Sequence, residues 1–163
     1  MHHTETFAGT RHTLCNICGI PMDAEHFDES GVAGVPAPGE DVILARFTLH
    51  PQYCGVLNYF VQFTDLFFKN PSQIETPGLQ WLLLTNNRPL FPYVKVDKIL
   101  NPWGFTCIPV AIRLDENATI EFVVRNAGAG AAENGEAITK VGGRIVGRYW
   151  YNHAYGDVAR RNR

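Results

Sequence analysis

At 163 residues the chain is long enough for one domain with a real core and short for two. Hydrophobic residues make up 45% and charged residues 18%, the balance of an ordinary soluble globular protein rather than a disordered or fibrous one. A formal charge of −2 argues against nucleic acid as a partner, because phosphate contacts need clustered Lys and Arg, and no apolar run is long enough to cross a bilayer.

In chain order, residues 1–40 show no sustained period of either kind and read as an extended, irregular N-terminal arm. The start lacks the continuous apolar core of a signal peptide, so synthesis in a cytoplasm is expected, and the sequon Asn117-Ala118-Thr119 is then a chance match. Within the arm, Cys15 and Cys18 have the spacing of a zinc knuckle, in which a turn lets two thiolates grip one tetrahedral ion. Four ligands are needed, and His12 and His26 are the candidates near in sequence; Cys54 and Cys107 are distant. Two further readings stay open for the pair: unligated reduced thiols, or a disulfide. Zinc is the only cofactor expected.

Residues 31–39, rich in Gly and Pro, close the arm as a linker. Strands are then predicted over 42–49, 55–63, 79–85, 93–99, 106–114, 119–126 and 143–151. The clearest is 119–126, where Ile120, Phe122 and Val124 alternate with Thr119, Glu121 and Arg125, the mark of a strand with one core face and one wet face. Asn86 to Pro89, Asn101 to Gly104 and Asp115 to Asn117 carry turn chemistry, and residues 126–135 read as a flexible loop. A short helix is conceivable only within 64–73. The result is an all-β chain: an antiparallel β-sandwich of jelly-roll type over 41–155, with a basic tail over 156–163.

No catalytic pattern accompanies this fold. The His-x-His cluster of a metal-binding cupin is missing, Ser30 and Ser72 lie outside any Gly-x-Ser-x-Gly elbow, and Asp115 and Glu116 are adjacent on a turn rather than opposed. No enzyme is expected. His50 reads as a surface residue at a strand end. Tyr149, Trp150 and Tyr151 are consecutive, so both faces of the last strand carry rings, and the second cover is expected to be another subunit. Trp103 joins them as an interface candidate; exposed beside a groove, it would instead suit a sugar platform.

The phrases Gln80 to Leu90, Ile108 to Ile120 and Gly143 to Tyr151 resemble small jelly-roll structural proteins of tailed bacteriophages, which decorate or cement capsids or join the tail apparatus. The likeness covers about 42–151 and is one of rhythm plus a few phrases, leaving the arm outside. It implies a non-enzymatic virion component, a homo-oligomer whose partners are capsid or tail proteins, with no nucleic acid and no membrane. The alternative is a carbohydrate- or receptor-binding module of a tail tip.

Overall fold

The structure is a computed structural model that describes residues 2–7, 10–15, 20, 21, 24–65, 78–91, 93, 96, 107–128 and 138–151; of 2–7 and 10–15 it describes the backbone. The described chain is all-β and, as expected, an antiparallel β-sandwich. A hairpin of β1 (His2–Phe7) and β2 (Thr10–Cys15) comes first. Eight strands follow: β3 (Glu25–Gly34), β4 (Asp41–Thr48), β5 (Tyr53–Thr64), β6 (Leu79–Thr85), β7 (Arg88–Pro89), β8 (Ile108–Leu114), β9 (Thr119–Asn126) and β10 (Lys140–Tyr151). One sheet has the order β3-β10-β5-β8 and the other β4-β9-β6-β7. The pairing is nested: β3 lies beside β10, β4 beside β9, β5 beside β8 and β6 beside β7, so the eight strands form one long antiparallel ribbon folded over on itself.

The core lies between the two sheets, filled from both inner faces. Ile120, Phe122 and Val124 of β9 are fully buried, as their alternation predicts. They meet Leu79, Trp81 and Leu83 of β6, Leu57 and Phe60 of β5, and Val141 and Ile145 of β10 in a single cluster. The Phe60 and Phe122 rings meet across the sheets at 5.1 Å. The Trp81 indole donates its N–H to the Gly142 carbonyl of the opposite sheet at 3.2 Å, satisfying the one polar atom of a fully buried ring. Leu57 and Phe60 both face inward although three residues apart, because the register with β8 shifts between Leu57 and Tyr59. A second irregularity, between Ile43 and Ala45, turns the consecutive Leu44 and Ala45 both inward.

The N-terminal boundary differs from the expectation. The sandwich begins at Glu25, not at residue 41, because β3 is an edge strand of the first sheet, and the arm is not wholly irregular, since β1 and β2 form a hairpin. An edge strand held mainly by its backbone ladder shows little alternation: of β3 only Phe27 is buried. Gly31, read as part of a linker, sits inside this strand, where a Cβ would come within 2.0 Å of the Leu44 carbonyl oxygen on the facing sheet. Close approach of the two sheets, not turn formation, requires that glycine.

Of the strand expected over 93–99, Val96 bridges Trp81 through two backbone hydrogen bonds of 2.9 Å, and Tyr93 accepts from the Leu83 N–H. The rest of that span falls outside the described residues, as do most of 64–73 and 126–135, the tail over 156–163 and Trp103. Pro109 lies in β8, which among the described residues pairs only with β5, the edge position to which a residue without an N–H is suited.

Candidate polar cavity and aromatic row

At one end of the sandwich the outer face of the second sheet carries a polar cavity of about 370 Å³, lined by Arg46, Thr48, Asn86, Asn87, Thr119 and Glu121. Antiparallel register assembles it. Arg46 and Thr48 of β4 lie directly opposite Glu121 and Thr119 of β9. The two-residue turn between β6 and β7 supplies the third wall. Its Asn86 and Asn87 have φ of 51° and 61°, the left-handed geometry of a tight hairpin turn, which Asn tolerates better than other residues with a Cβ.

Each wall is fixed by its own hydrogen bonds. Asn86 and Thr119 lock reciprocally: the Asn86 N–H donates to the Thr119 carbonyl and the Thr119 N–H to Asn86 Oδ1, both at 2.9 Å. The Thr48 and Thr119 hydroxyls are bonded to each other at 3.0 Å. Arg46 donates from Nε to Glu121 Oε1 at 2.7 Å, with a terminal guanidinium nitrogen 2.5 Å from the same oxygen.

Glu121 was expected on the wet face of β9, yet its side chain is only 4% exposed, against 55% for Arg46. A carboxylate so far from water is costly unless paired, and the guanidinium laid over it offsets that cost and cancels its charge. Alternation placed Glu121 correctly on the outer face. It did not show that β4 and β6 flank that face and cover it, and on the same face Val123 is also buried.

Behind the cavity, on the inner side of β4, runs a row of rings. Phe27 stacks on Phe47 at 4.0 Å, Phe47 meets Tyr149 at 5.5 Å, Tyr149 meets Tyr53 at 5.8 Å, and Tyr53 meets Tyr151 edge-on at 5.6 Å. Tyr149 and Tyr151, two of the expected interface residues, are thus brought together through Tyr53; Trp150 lies on the opposite face of β10, half-buried. The fourth, Trp103, lies outside the described residues. The Tyr149 hydroxyl donates to Glu25 Oε2 at 2.5 Å, and this bond to the carboxylate pushes the phenol above its ordinary titration range. Tyr149, Trp150 and Tyr151 are each half-buried.

The metal candidates are less complete. His26 is exposed on β3, opposite Arg148. His12 and Cys15 lie in β2, in register with Glu5 and His2, but their side chains, like all of Cys18, fall outside the described residues. Cys54 and Cys107 are free, half-buried thiols, and burial pushes the Cys54 thiol up. Among the described residues no three His, Cys, Asp or Glu side chains converge on one point. His50 is exposed, and Asp115 pairs locally with Arg113 on an exposed turn.

The cavity residues were not singled out by sequence. Only the Asn86-Asn87 turn was visible, because the β4–β9 pairing joins positions about 75 residues apart. No protein-family model matches the chain, and neither a curated protein nor a solved structure matches it.

Proposed function

We propose that the chain is a non-enzymatic structural protein of a bacteriophage virion, a jelly-roll subunit that decorates or cements the capsid, or joins the tail, through contacts between subunits. The observation that carries this reading is the nested pairing of β3 with β10, β4 with β9, β5 with β8 and β6 with β7, distributed over two four-stranded sheets. Such pairing supports the jelly-roll reading, a double-sheet fold of eight strands in two Greek keys. The three phrases that resemble phage structural proteins fall on the β6–β7 hairpin, on β8 through the start of β9, and on β10, so the likeness lies in the framework rather than in loops. Partners in this reading are other copies of the chain and capsid or tail proteins, with Tyr149, Trp150 and Tyr151 offering half-buried rings to a neighbour. Independently of the virion reading, the spacing of Cys15, which closes β2, and Cys18 suits structural zinc that organises the arm, with His12 and His26 as candidate further ligands.

Purification of intact particles of the encoding phage tests the proposal. The chain should remain with them through density-gradient centrifugation, at a ratio to the major capsid or tail protein set by lattice symmetry. Its absence from washed particles, with the protein left free in the lysate, overturns the reading. Elemental analysis of the purified protein tests the zinc separately: stoichiometric zinc is expected, and metal-free protein with an ordered arm removes it.

A further inference from the structure

From the polar cavity on the outer face of the second sheet we infer that the chain carries a binding site for a neutral polyhydroxylated ligand, a mono- or disaccharide unit. The inference stands apart from the virion reading, because it rests on the cavity alone. About 370 Å³ falls at the lower end of the roughly 300–1,000 Å³ typical of small-molecule sites, which suits one or two sugar rings.

The chemistry of the walls selects the ligand class. An anion meets the Glu121 carboxylate, a cation meets Arg46, and the two charges are already spent on each other. An apolar ligand finds no large aliphatic or aromatic side chain among the six lining residues. What remains are unused hydrogen-bonding positions of both kinds. Oε1 of Glu121 takes both contacts from Arg46 and leaves Oε2 as an acceptor. Asn86 uses its Oδ1 on the Thr119 N–H and keeps its two amide donors. Asn87 presents an exposed carboxamide, and one of the two mutually bonded threonine hydroxyls retains its proton. Sugar hydroxyls each donate and accept, so a closely spaced set of donors and acceptors matches them. The reciprocal bonds hold the walls in place beforehand, which reduces the ordering cost on binding.

The test uses the purified full-length chain. Free glucose, galactose, mannose, N-acetylglucosamine, lactose and maltose are titrated by calorimetry and saturation-transfer NMR, with inorganic phosphate as the anionic control, and the protein is also applied to an array of immobilised glycans. Binding of at least one saccharide, and none of phosphate, is expected. Response to free sugar identifies a soluble saccharide as sufficient; response on the array alone identifies a surface glycan. Two variants locate the site. Asn87→Gly removes the carboxamide yet keeps a residue suited to positive φ, so the turn survives; Glu121→Gln keeps the shape and removes the charge. Each should weaken binding by about tenfold or more, the loss of one or two good hydrogen bonds. Circular dichroism and thermal melting verify that both remain folded, and a third variant, Thr48→Val, replaces any that does not. No signal from any free or arrayed sugar, binding unchanged in the folded variants, or phosphate bound in place of sugar overturns the assignment. Particle association is a separate measurement, so the two proposals fail independently.

Discussion

Phe122 is the side chain on which the two sheets meet. It is fully buried, its ring lies 5.1 Å from that of Phe60, and a Cβ added to Gly143 on the opposite sheet would come within 2.5 Å of it. Phe122→Ala should therefore cost about 3–5 kcal/mol, through lost burial and the cavity left between sheets that cannot close over it, read as a fall in denaturant midpoint at unchanged slope. Charged residues give a smaller, pH-dependent signal. Asp28 and Asp41 each accept two hydrogen bonds, from Nε and a terminal nitrogen of Arg144 and Arg125 respectively, across neighbouring strands. These hydrogen bonds hold both carboxyls below their ordinary value of 3.8. A depressed carboxyl pKa stabilises the fold above the unfolded value, and that contribution is lost as pH falls through the folded one. Stability should thus be flat with respect to these two groups near neutrality and decline below about pH 4. Asp28→Asn with Asp41→Asn should flatten that acid slope in urea titrations. Because both pairs are exposed, the effect is modest and shrinks with added salt.

Among the elements, the β6–β7 hairpin is where local sequence dictates structure most directly. Two consecutive asparagines at φ of 51° and 61° reverse the chain, and Arg88 and Pro89 then pair with Thr85 and Leu84. Asn87→Val places a branched side chain in the left-handed region and should cost about 1–2 kcal/mol in thermal or chemical melts, whereas Asn87→Gly should be close to neutral. The alternation of β9 was equally legible, because a central strand with one core face repeats its apolar residues at every second position. Three other features were not. β3 contributes one buried residue, Phe27, so its position in the sheet comes from backbone pairing with β10, to which side-chain pattern is blind. The irregularities in β4 and β5 break the two-residue period at Leu44-Ala45 and between Leu57 and Phe60, so counting alternate positions there assigns faces wrongly. The cavity needs β4 beside β9 and the turn after β6 beside both, a juxtaposition that no local stretch encodes.

At the scale of the molecule, the nested ribbon makes the N- and C-terminal strands of the sandwich neighbours: β3 covers the edge of β10 from Glu25 opposite Tyr149 to Gly34 opposite Lys140. This alters what truncation should do. If the sandwich began near residue 41, removing everything before Gly39 would leave it intact. With β3 in place, that deletion strips β10 of one partner and exposes a long edge. It also removes Phe27 from its stack on Phe47 and the Asp28 partner of Arg144. An exposed, hydrogen-bond-ready strand of this length is a template for aggregation. Deletion of residues 1–23 leaves β3 and the other seven sandwich strands in the chain. That shorter deletion should give a soluble protein with a cooperative melt and a β-type circular dichroism spectrum. Deletion of 1–38 should instead yield aggregated or poorly folded material. Comparing the two by size-exclusion chromatography separates fold from assembly: the shorter protein keeps all eight sandwich strands and lacks the β1–β2 hairpin, the Cys15 and Cys18 segment and the buried Ile20 and Pro21 that precede β3. Loss of particle association in that folded variant would assign attachment to the arm, and undiminished association would assign it to the sandwich surface that includes Tyr149, Trp150 and Tyr151.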